Sequence, residues 1–286
     1  MGKRKLTFIV AWIMVGTFIL GGCSDPKIVN VDINPPTKGL LHYLKQDQMV
    51  NVSDNGYKVR VESSTAEVNS ETEVKLTLRV LDSSGLPVRK FSEDMTKLMH
   101  LIVVSSDLSS FSHLHPEYKG KGIFSVAYKF PFGGDFLLIS EFMPDKQGVT
   151  VYKQWISVKG KSPLAEKLIS DTATKQTVGG LDVSLSMMPD AKHLAAGQTA
   201  MLNFRFTDAK THKPVKLEPY LGTAGHCVIL NDTANQYLHV HAATDMSSGE
   251  NVMFHTQFPA SGTYKLWAQV QYGGKVNVVP YVIRVQ

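Results

Sequence analysis

Hydrophobic and polar residues follow a strand-like pattern in the chain beyond residue 50. The segments VKLTLRV (residues 74–80) and MLNFRF (residues 201–206) alternate with a period of two, as expected of strands with one buried face. HLIVVSS, FSVAYKF and DFLLISEF are short runs rich in branched and aromatic residues. Glycine, proline, aspartate and serine separate these runs. The pattern predicts an all-β chain of short antiparallel strands.

The strand pattern occurs twice along the chain. GLPVRK near residue 87 corresponds to HKPVKL near residue 214, and FSVAYKFPFGGDFLLISEF corresponds to VMFHTQFPASGTYKLWAQV. This is a duplication of a unit of about 110 residues. We therefore predict two tandem immunoglobulin-like antiparallel β-sandwich domains. Module one covers residues 51–160, module two covers residues 179–286, and residues 161–178 form a linker.

The N-terminal segment has the pattern of a secretory signal. The basic residues 3–5 precede the apolar run LTFIVAWIMVGTFIL. The following LGGC resembles the lipobox of bacterial lipoproteins, whose cysteine carries the lipid. The resemblance implies a lipoprotein signal peptide at residues 1–22, a lipidated Cys23 and a tether at residues 23–50. A permanent membrane-spanning segment is the alternative.

Charge and cysteine content narrow the choice of partners. The chain carries a formal net charge of +5, and residues 1–22 hold three basic and no acidic residues, which leaves +2 for the remainder. No block of like charge remains, so we expect no nucleic-acid partner. The predicted partners are the lipid bilayer, through acylated Cys23, and an envelope protein. If Cys23 carries lipid, Cys227 has no intramolecular disulfide partner.

Both modules contain the same arrangement of three histidines. In each copy, a histidine precedes an apolar run, a polar turn follows, and an aromatic residue comes shortly before His-x-His. Imidazole is the commonest metal ligand. Trio one is His100, His113 and His115, and trio two is His226, His239 and His241.

A β-hairpin would bring each trio together. We predict that His100 lies opposite His113 across the turn SSDLSS, with His115 on the same strand face. The second copy predicts His226 opposite His239. Three imidazoles on one face suit Zn²⁺ or Cu²⁺, with a further position open to water or another ligand. A one-residue slip in register would place the first histidine on the wrong face.

Residues outside the trios give weaker signals. Glu141 is a candidate metal ligand or hydrogen-bond acceptor, although its counterpart Gln269 carries no charge. Cys227 directly follows His226, so on a strand the two side chains point to opposite faces. We expect Cys227 to be a buried, unreactive thiol. Four histidines have no repeated partner and are expected to be ordinary surface or strand residues: His42, His193, His212 and His255.

Catalytic motifs are absent from the sequence. The chain has no nucleotide-binding glycine loop, no G-x-S-x-G and no cysteine placed beside a base on the same strand face. A metal-dependent hydrolase is an alternative, but the sequence indicates no general base for it. We therefore expect a binding protein and not an enzyme.

The segment HLIVVSSDLSSFSHLHPEY resembles a family of exported bacterial proteins with an HLHP motif in small immunoglobulin-like modules, the YtkA-like and FixH-like domains. GGDFLLISEFMP and SGTYKLWAQVQYGGKV are similar to the segment that follows the histidines in that family. The resemblance covers residues 55 to 286 and implies heavy-metal or copper handling. Residues 113–116 match the motif in full, whereas Ala242 replaces the proline in module two.

Together these features predict a membrane-anchored, extracytoplasmic lipoprotein. It would bind Cu or Zn through the two trios, for metal buffering, delivery or sensing. The alternative is a structural or interaction protein of the envelope whose histidines stabilise turns.

Overall fold

The computed structural model describes residues 55–165, 167–243 and 246–286. No helix within these ranges is long and apolar enough to span a membrane. The signal peptide, Cys23, the tether and His42 lie outside the described residues.

The regular elements of the described chain are β-strands, as the alternating pattern predicts. The strands of module one are β1 (Lys58–Ser63), β2 (Glu73–Leu81), β3 (Phe91–Ser92), β4 (Met99–Ser105), β5 (Phe111–Leu114), β6 (Glu117–Gly120), β7 (Ile123–Lys129), β8 (Gly134–Pro144) and β9 (Thr150–Val158). The strands that follow are β10 (Lys175–Val178), β11 (Leu181–Met188), β12 (Thr199–Asp208), β13 (His226–Asn231), β14 (Tyr237–His241), β15 (Asn251–Gln257), β16 (Gly262–Tyr272) and β17 (Lys275–Val285).

Each module is a sandwich of two antiparallel sheets. In module one, the order β1-β2-β7-β6 faces the order β3-β8-β4-β5, and β9 pairs with β8. In module two, β10-β11-β12-β15 faces β14-β13-β16-β17. The prediction of two repeated, immunoglobulin-like all-β domains is confirmed.

Each sandwich has its own apolar core, because alternate strand residues face inwards. On β2, Leu76 and Leu78 are fully buried, while Glu73 and Lys75 are exposed. In module two, Phe204 on β12 packs edge-on against Phe254, with ring centroids 5.6 Å apart. Such aromatic pairs add to the hydrophobic stabilisation of a core.

The two strands that carry the first histidine of each trio, β4 and β13, are buried on both faces. All seven residues of β4 are buried, and so are the first five residues of β13. Leu101 and Cys227 point into the cores of their own modules, whereas Ile102 and Val228 point the other way. Apolar residues therefore occupy consecutive positions on these strands and do not alternate with polar ones.

A third apolar core lies between the modules. The sheets that contain β4 and β13 pack against each other, and the Phe111 ring of module one stacks on Trp267 of module two at 4.8 Å and 13°. The buried apolar residues of this core are Ile102, Val104, Leu108, Leu137, Ile139, Val228, Leu230, Ala234 and Trp267. The two modules are therefore docked, which the strand pattern alone did not predict.

The predicted hairpin register is wrong by two residues. In module two, His226 pairs with His241 and not with His239. In module one, His113 lies opposite Ile102 and not opposite His100. Because side chains alternate with a period of two, a two-residue shift leaves every histidine on its predicted face.

The turn after β4 explains this shift. The Asp107 carboxylate accepts hydrogen bonds from the Ser105 hydroxyl and from the Ser109 backbone and hydroxyl. Leu108 adopts a positive φ of 59°, and its side chain is buried in the core between the modules. These interactions centre the turn one residue later in the chain than predicted. Each residue of β5 therefore lies opposite a residue of β4 that is two positions further along than predicted.

Strand pairing of β5 ends just before Pro116, which has no N–H to donate to a partner strand. Strand β5 stops at Leu114, and β6, which begins at Glu117, pairs with β7 in the opposite sheet. Module two has Ala242 at this position, and its amide donates to the Gly225 carbonyl at 3.0 Å. Proline cannot make this hydrogen bond because it has no N–H.

Candidate metal centre

The fold brings the three histidines of each trio together. In each trio, one histidine lies in the first two residues of β4 or β13. The other two lie at or just beyond the end of the neighbouring strand, with His115 one residue past β5. Within each trio, the candidate ligand nitrogens all lie within 4.8 Å of one another. Zinc–nitrogen bonds are about 2.0–2.1 Å long. Three imidazole nitrogens at this spacing are therefore able to hold a single Zn²⁺ or Cu²⁺ ion.

In trio one, His100 and His113 each turn one ring nitrogen towards the other. The second nitrogen of each ring donates a hydrogen bond to a group outside the trio. His100 Nδ1 lies 2.9 Å from His113 Nε2. His100 Nε2 donates to the Asp94 carbonyl at 3.0 Å, and His113 Nδ1 donates to Gln269 Oε1 at 3.0 Å. Carbonyl oxygens only accept hydrogen bonds, so both facing nitrogens of the neutral rings carry lone pairs. The Nε2 of His115 is buried and has no hydrogen-bond partner among the described residues.

Trio two repeats this arrangement with a stronger acceptor. His239 Nδ1 donates to the Glu141 carboxylate at 2.7 Å, so its Nε2 carries a lone pair. That Nε2 lies 3.2 Å from His226 Nδ1. In the described part of the chain, the buried Nε2 atoms of His226 and His241 have no hydrogen-bond partner.

Two of the outward partners come from the opposite module. Gln269, on β16 of module two, serves His113, and Glu141, on β8 of module one, serves His239. The hydroxyl of Tyr237 donates to the second oxygen of Glu141 at 3.1 Å. The weak sequence signal at Glu141 and Gln269 is thereby explained, because both side chains accept a hydrogen bond from a trio histidine. They do so across the module boundary.

Burial favours the neutral form of five of the trio histidines. It lowers the pKa of His115 from 6.5 to about 3 and that of His226 to about 2, with further lowering by neighbouring histidines. Burial also lowers the pKa of His100, His113 and His241. Metal binding requires neutral imidazole, so the rings do not have to lose a proton at neutral pH.

The carboxylate of Glu141 is held in its charged form. Burial by itself raises the pKa of this group, but the hydrogen bonds that it accepts from His239 and Tyr237 help to lower it below its usual value. Burial, together with the charge of Glu141, raises the pKa of Tyr237 well above 10. The cluster therefore contains one buried carboxylate in contact with the imidazoles.

The other residues considered from the sequence lie elsewhere. Cys227 is fully buried in the core of module two, and burial raises the pKa of its thiol, as expected for an unreactive cysteine. His193 and His212 lie near the carboxylates of Asp190 and Asp182 at exposed positions. His255 is exposed on β15. None of these histidines lies in a trio.

Comparison with solved structures gives only distant likeness. The Escherichia coli adhesin FdeC is 17% identical over 81% of this chain and 64% of that chain, with a TM-score of 0.27. The Yersinia pseudotuberculosis adhesin InvE is 13% identical over 80% and 58%, with a TM-score of 0.25. This chain thus spans less than two thirds of either adhesin chain. A two-domain fibronectin type III segment of chicken tenascin is 12% identical over 79% and 98%, with a TM-score of 0.22.

The sequence comparison is more specific. No curated protein matches the chain significantly. Residues 50–160 and residues 176–286 each match the same family, which is described as a domain of unknown function, DUF8832. Because these two matches cover most of the chain, the protein belongs to the DUF8832 family and carries two copies of its domain in tandem.

Proposed function

We propose that this protein binds Cu²⁺ or Zn²⁺ through trio one and trio two, for metal buffering, delivery or sensing. The observation that carries the proposal is the convergence of three ring nitrogens in each trio, all within 4.8 Å of one another. In trio one, His100 Nδ1 lies 2.9 Å from His113 Nε2, and the Asp94 carbonyl accepts a hydrogen bond from the other nitrogen of His100. A cation beside this pair would be held by ring nitrogens of both residues.

The third histidine of trio one supports the same assignment. His115 Nε2 is a buried polar atom without a hydrogen-bond partner among the described residues. Leaving such a group unsatisfied costs about 1–3 kcal/mol. Coordination of a metal ion would satisfy this nitrogen together with the facing pair, and would leave a further position for water or another ligand.

Turn stabilisation accounts poorly for these contacts. Only His100 in trio one reaches a loop carbonyl, that of Asp94. His113 and His239 instead bond side chains of the opposite module, Gln269 and Glu141. Histidines that served only their own turns would have no need for partners across the module boundary.

We propose a binding role without catalysis. Glu141 is the carboxylate in hydrogen-bond contact with trio two, and both of its oxygens are engaged, one by His239 and one by Tyr237. The described contacts therefore favour a positioning role for this carboxylate.

The location proposed is the extracytoplasmic face of the cell membrane, with acylated Cys23 as the anchor. Its support is the basic segment, apolar run and LGGC of the N-terminus. The resemblance of HLHP to YtkA-like and FixH-like domains supports copper among the candidate metals. An envelope protein that supplies or receives the ion is the further partner proposed.

A metal-binding measurement tests this function. The full chain, purified in detergent without metal, is dialysed against Cu²⁺ or Zn²⁺, and bound metal is counted. We expect the variant that combines His113→Ala and His239→Ala to lose the bound metal, and the exposed control His255→Ala to retain it. Equal stoichiometry in all three proteins would refute the assignment. Labelling with radioactive palmitate should mark the parent chain and not Cys23→Ser, and equal labelling of the two would contradict the lipid anchor.

A further inference from the structure

The two trios lie against each other across the module boundary. The ring centroids of His100 and His239 are 5.3 Å apart, and those of His113 and His239 are 5.4 Å apart. His226 lies 6.0 Å from His113 and 6.2 Å from His100 by the same measure. These separations are close to those within a trio, where His100 and His113 are 5.1 Å apart. The six rings thus form one group at the polar end of the core between the modules.

The two halves of this group differ in one charge. The N–H of His113 meets the neutral amide of Gln269, whereas the N–H of His239 meets the carboxylate of Glu141. Tyr237, whose hydroxyl also bonds Glu141, corresponds in module one to Phe111, which has no hydroxyl. The duplicated domains therefore present equivalent histidines with unequal partners.

This difference changes the affinity of each half for a cation. A carboxylate that accepts the outer N–H of a ligating histidine makes the imidazole a stronger donor to the metal, and replacing such partners typically costs 10- to 100-fold in affinity. The buried negative charge also offsets the charge of the bound ion. An amide oxygen fixes the ring orientation in the same way but supplies no net charge.

We propose that trio one and trio two form a single two-ion centre in which the positions are unequal. Trio two, supported by Glu141, takes the first ion and holds it more tightly. Trio one takes the second ion and releases it first, because it has a neutral partner and faces the charge of the ion already bound. This inference rests on the proposed metal-binding function and adds its stoichiometry, order of loading and order of release.

Stepwise titration with Cu²⁺ in the presence of a competing chelator tests the order. The full chain should bind two ions in two resolved steps. His115→Ala in trio one should keep the tight step and lose the weak one. His241→Ala in trio two should lose the tight step. A reversed pattern in these two variants would overturn the order of loading.

Exchange of the outer partners isolates the role of the carboxylate. The variant Glu141→Gln/Tyr237→Phe gives trio two the same partners as trio one, and its tight step should weaken about 10- to 100-fold. Adding Gln269→Glu should strengthen the other position by a comparable factor and reverse the order of loading. Glu117→Gln, at an exposed carboxylate on β6, is the matched control and should leave both steps unchanged.

Electron paramagnetic resonance of the Cu²⁺-loaded chain tests the pairing. At one ion per chain we expect the spectrum of an isolated Cu²⁺, and at two ions a spectrum broadened by interaction between neighbouring spins. Two ions without mutual broadening would overturn the paired centre. The paired centre would also be overturned if the parent chain bound one ion and both His115→Ala and His241→Ala lost it. That result would still support metal binding by the histidines. Absence of any bound metal would instead refute the proposed function itself.

Discussion

At the scale of single residues, the two nitrogens of each histidine have different tasks. In His113 and His239, Nδ1 donates across the module boundary, so Nε2 is left with its lone pair pointing into the trio. His100 uses its nitrogens in the opposite sense, with Nε2 on the Asp94 carbonyl and Nδ1 inside the trio. The outer partner therefore determines which nitrogen is available to a metal ion.

Acid should destabilise the metal-free protein. The pKa of His115 falls from 6.5 to about 3 on burial and that of His226 to about 2, so the unfolded chain takes up protons first as the pH falls. Their contribution to stability is therefore complete above pH 6.5 and is lost progressively below it, by up to about 1.4 kcal/mol per pH unit for each group. Denaturant unfolding with chelator at pH 7.5, 6.0 and 5.0 measures this loss.

The charged and titratable groups that face these histidines do not reverse this sign. Lys97 lowers the pKa of His115 further, whereas Asp94 and Glu141 raise that of His100 by less than burial lowers it. The variant His115→Gln/His241→Gln should show a shallower loss between pH 6.5 and 5.0. Equal stability of the parent protein at all three pH values would contradict the expectation.

At the scale of the strand, β4 differs from β2 in having two buried faces. β2 alternates between buried residues such as Leu76 and exposed residues such as Lys75. β4 has no exposed residue, because its even positions pack against module two and its odd positions against the core of module one. The unbroken apolar run HLIVV is therefore required by the docking of the modules.

Truncation on either face of β4 should be costly. Leu101→Ala opens the core of module one, and Ile102→Ala opens the core between the modules. We expect each to lower the free energy of unfolding by about 2–5 kcal/mol. Lys75→Ala, at an exposed position of β2, should change it by less than about 0.5 kcal/mol. Urea unfolding of the three variants provides the measurement, and an effect of Ile102→Ala as small as that of Lys75→Ala would argue against the docked arrangement.

At the scale of the whole molecule, docking of the modules and assembly of the histidine cluster depend on each other. The core between the modules ends at the histidines, and each module supplies the hydrogen-bond acceptor for a histidine of the other. Separated modules would keep their own trios but would lose these acceptors. The linker therefore joins two domains that complete one site together.

Loss of docking should weaken metal binding without removing a ligand. Trp267 stacks on Phe111 across the boundary, so Trp267→Ala should lower the free energy of unfolding by about 3–5 kcal/mol and also weaken metal affinity. Leu76→Ala, in the core of module one, is the matched control. It should destabilise the fold to a similar degree and retain affinity under conditions where the protein is folded. Calorimetric titration of both variants distinguishes these results, and unchanged affinity in Trp267→Ala would contradict the coupling.

The sequence determined the local structure of this protein. Alternation in segments such as VKLTLRV predicted the strands, the repeated segments predicted two sandwiches, and the spacing of the histidines placed each trio on one strand face. These features depend on neighbours in the chain or on a period of two. An error of two residues in register therefore did not disturb them.

Tertiary structure alone decided how the trios meet. The turn at Asp107 set the register, and packing of the sheets that contain β4 and β13 placed His113 beside Gln269 and His239 beside Glu141. These contacts join residues roughly a hundred or more positions apart in different domains, and no local pattern specifies them. The sequence thus provided two sets of three imidazoles, and docking of the domains through their apolar faces made them one group.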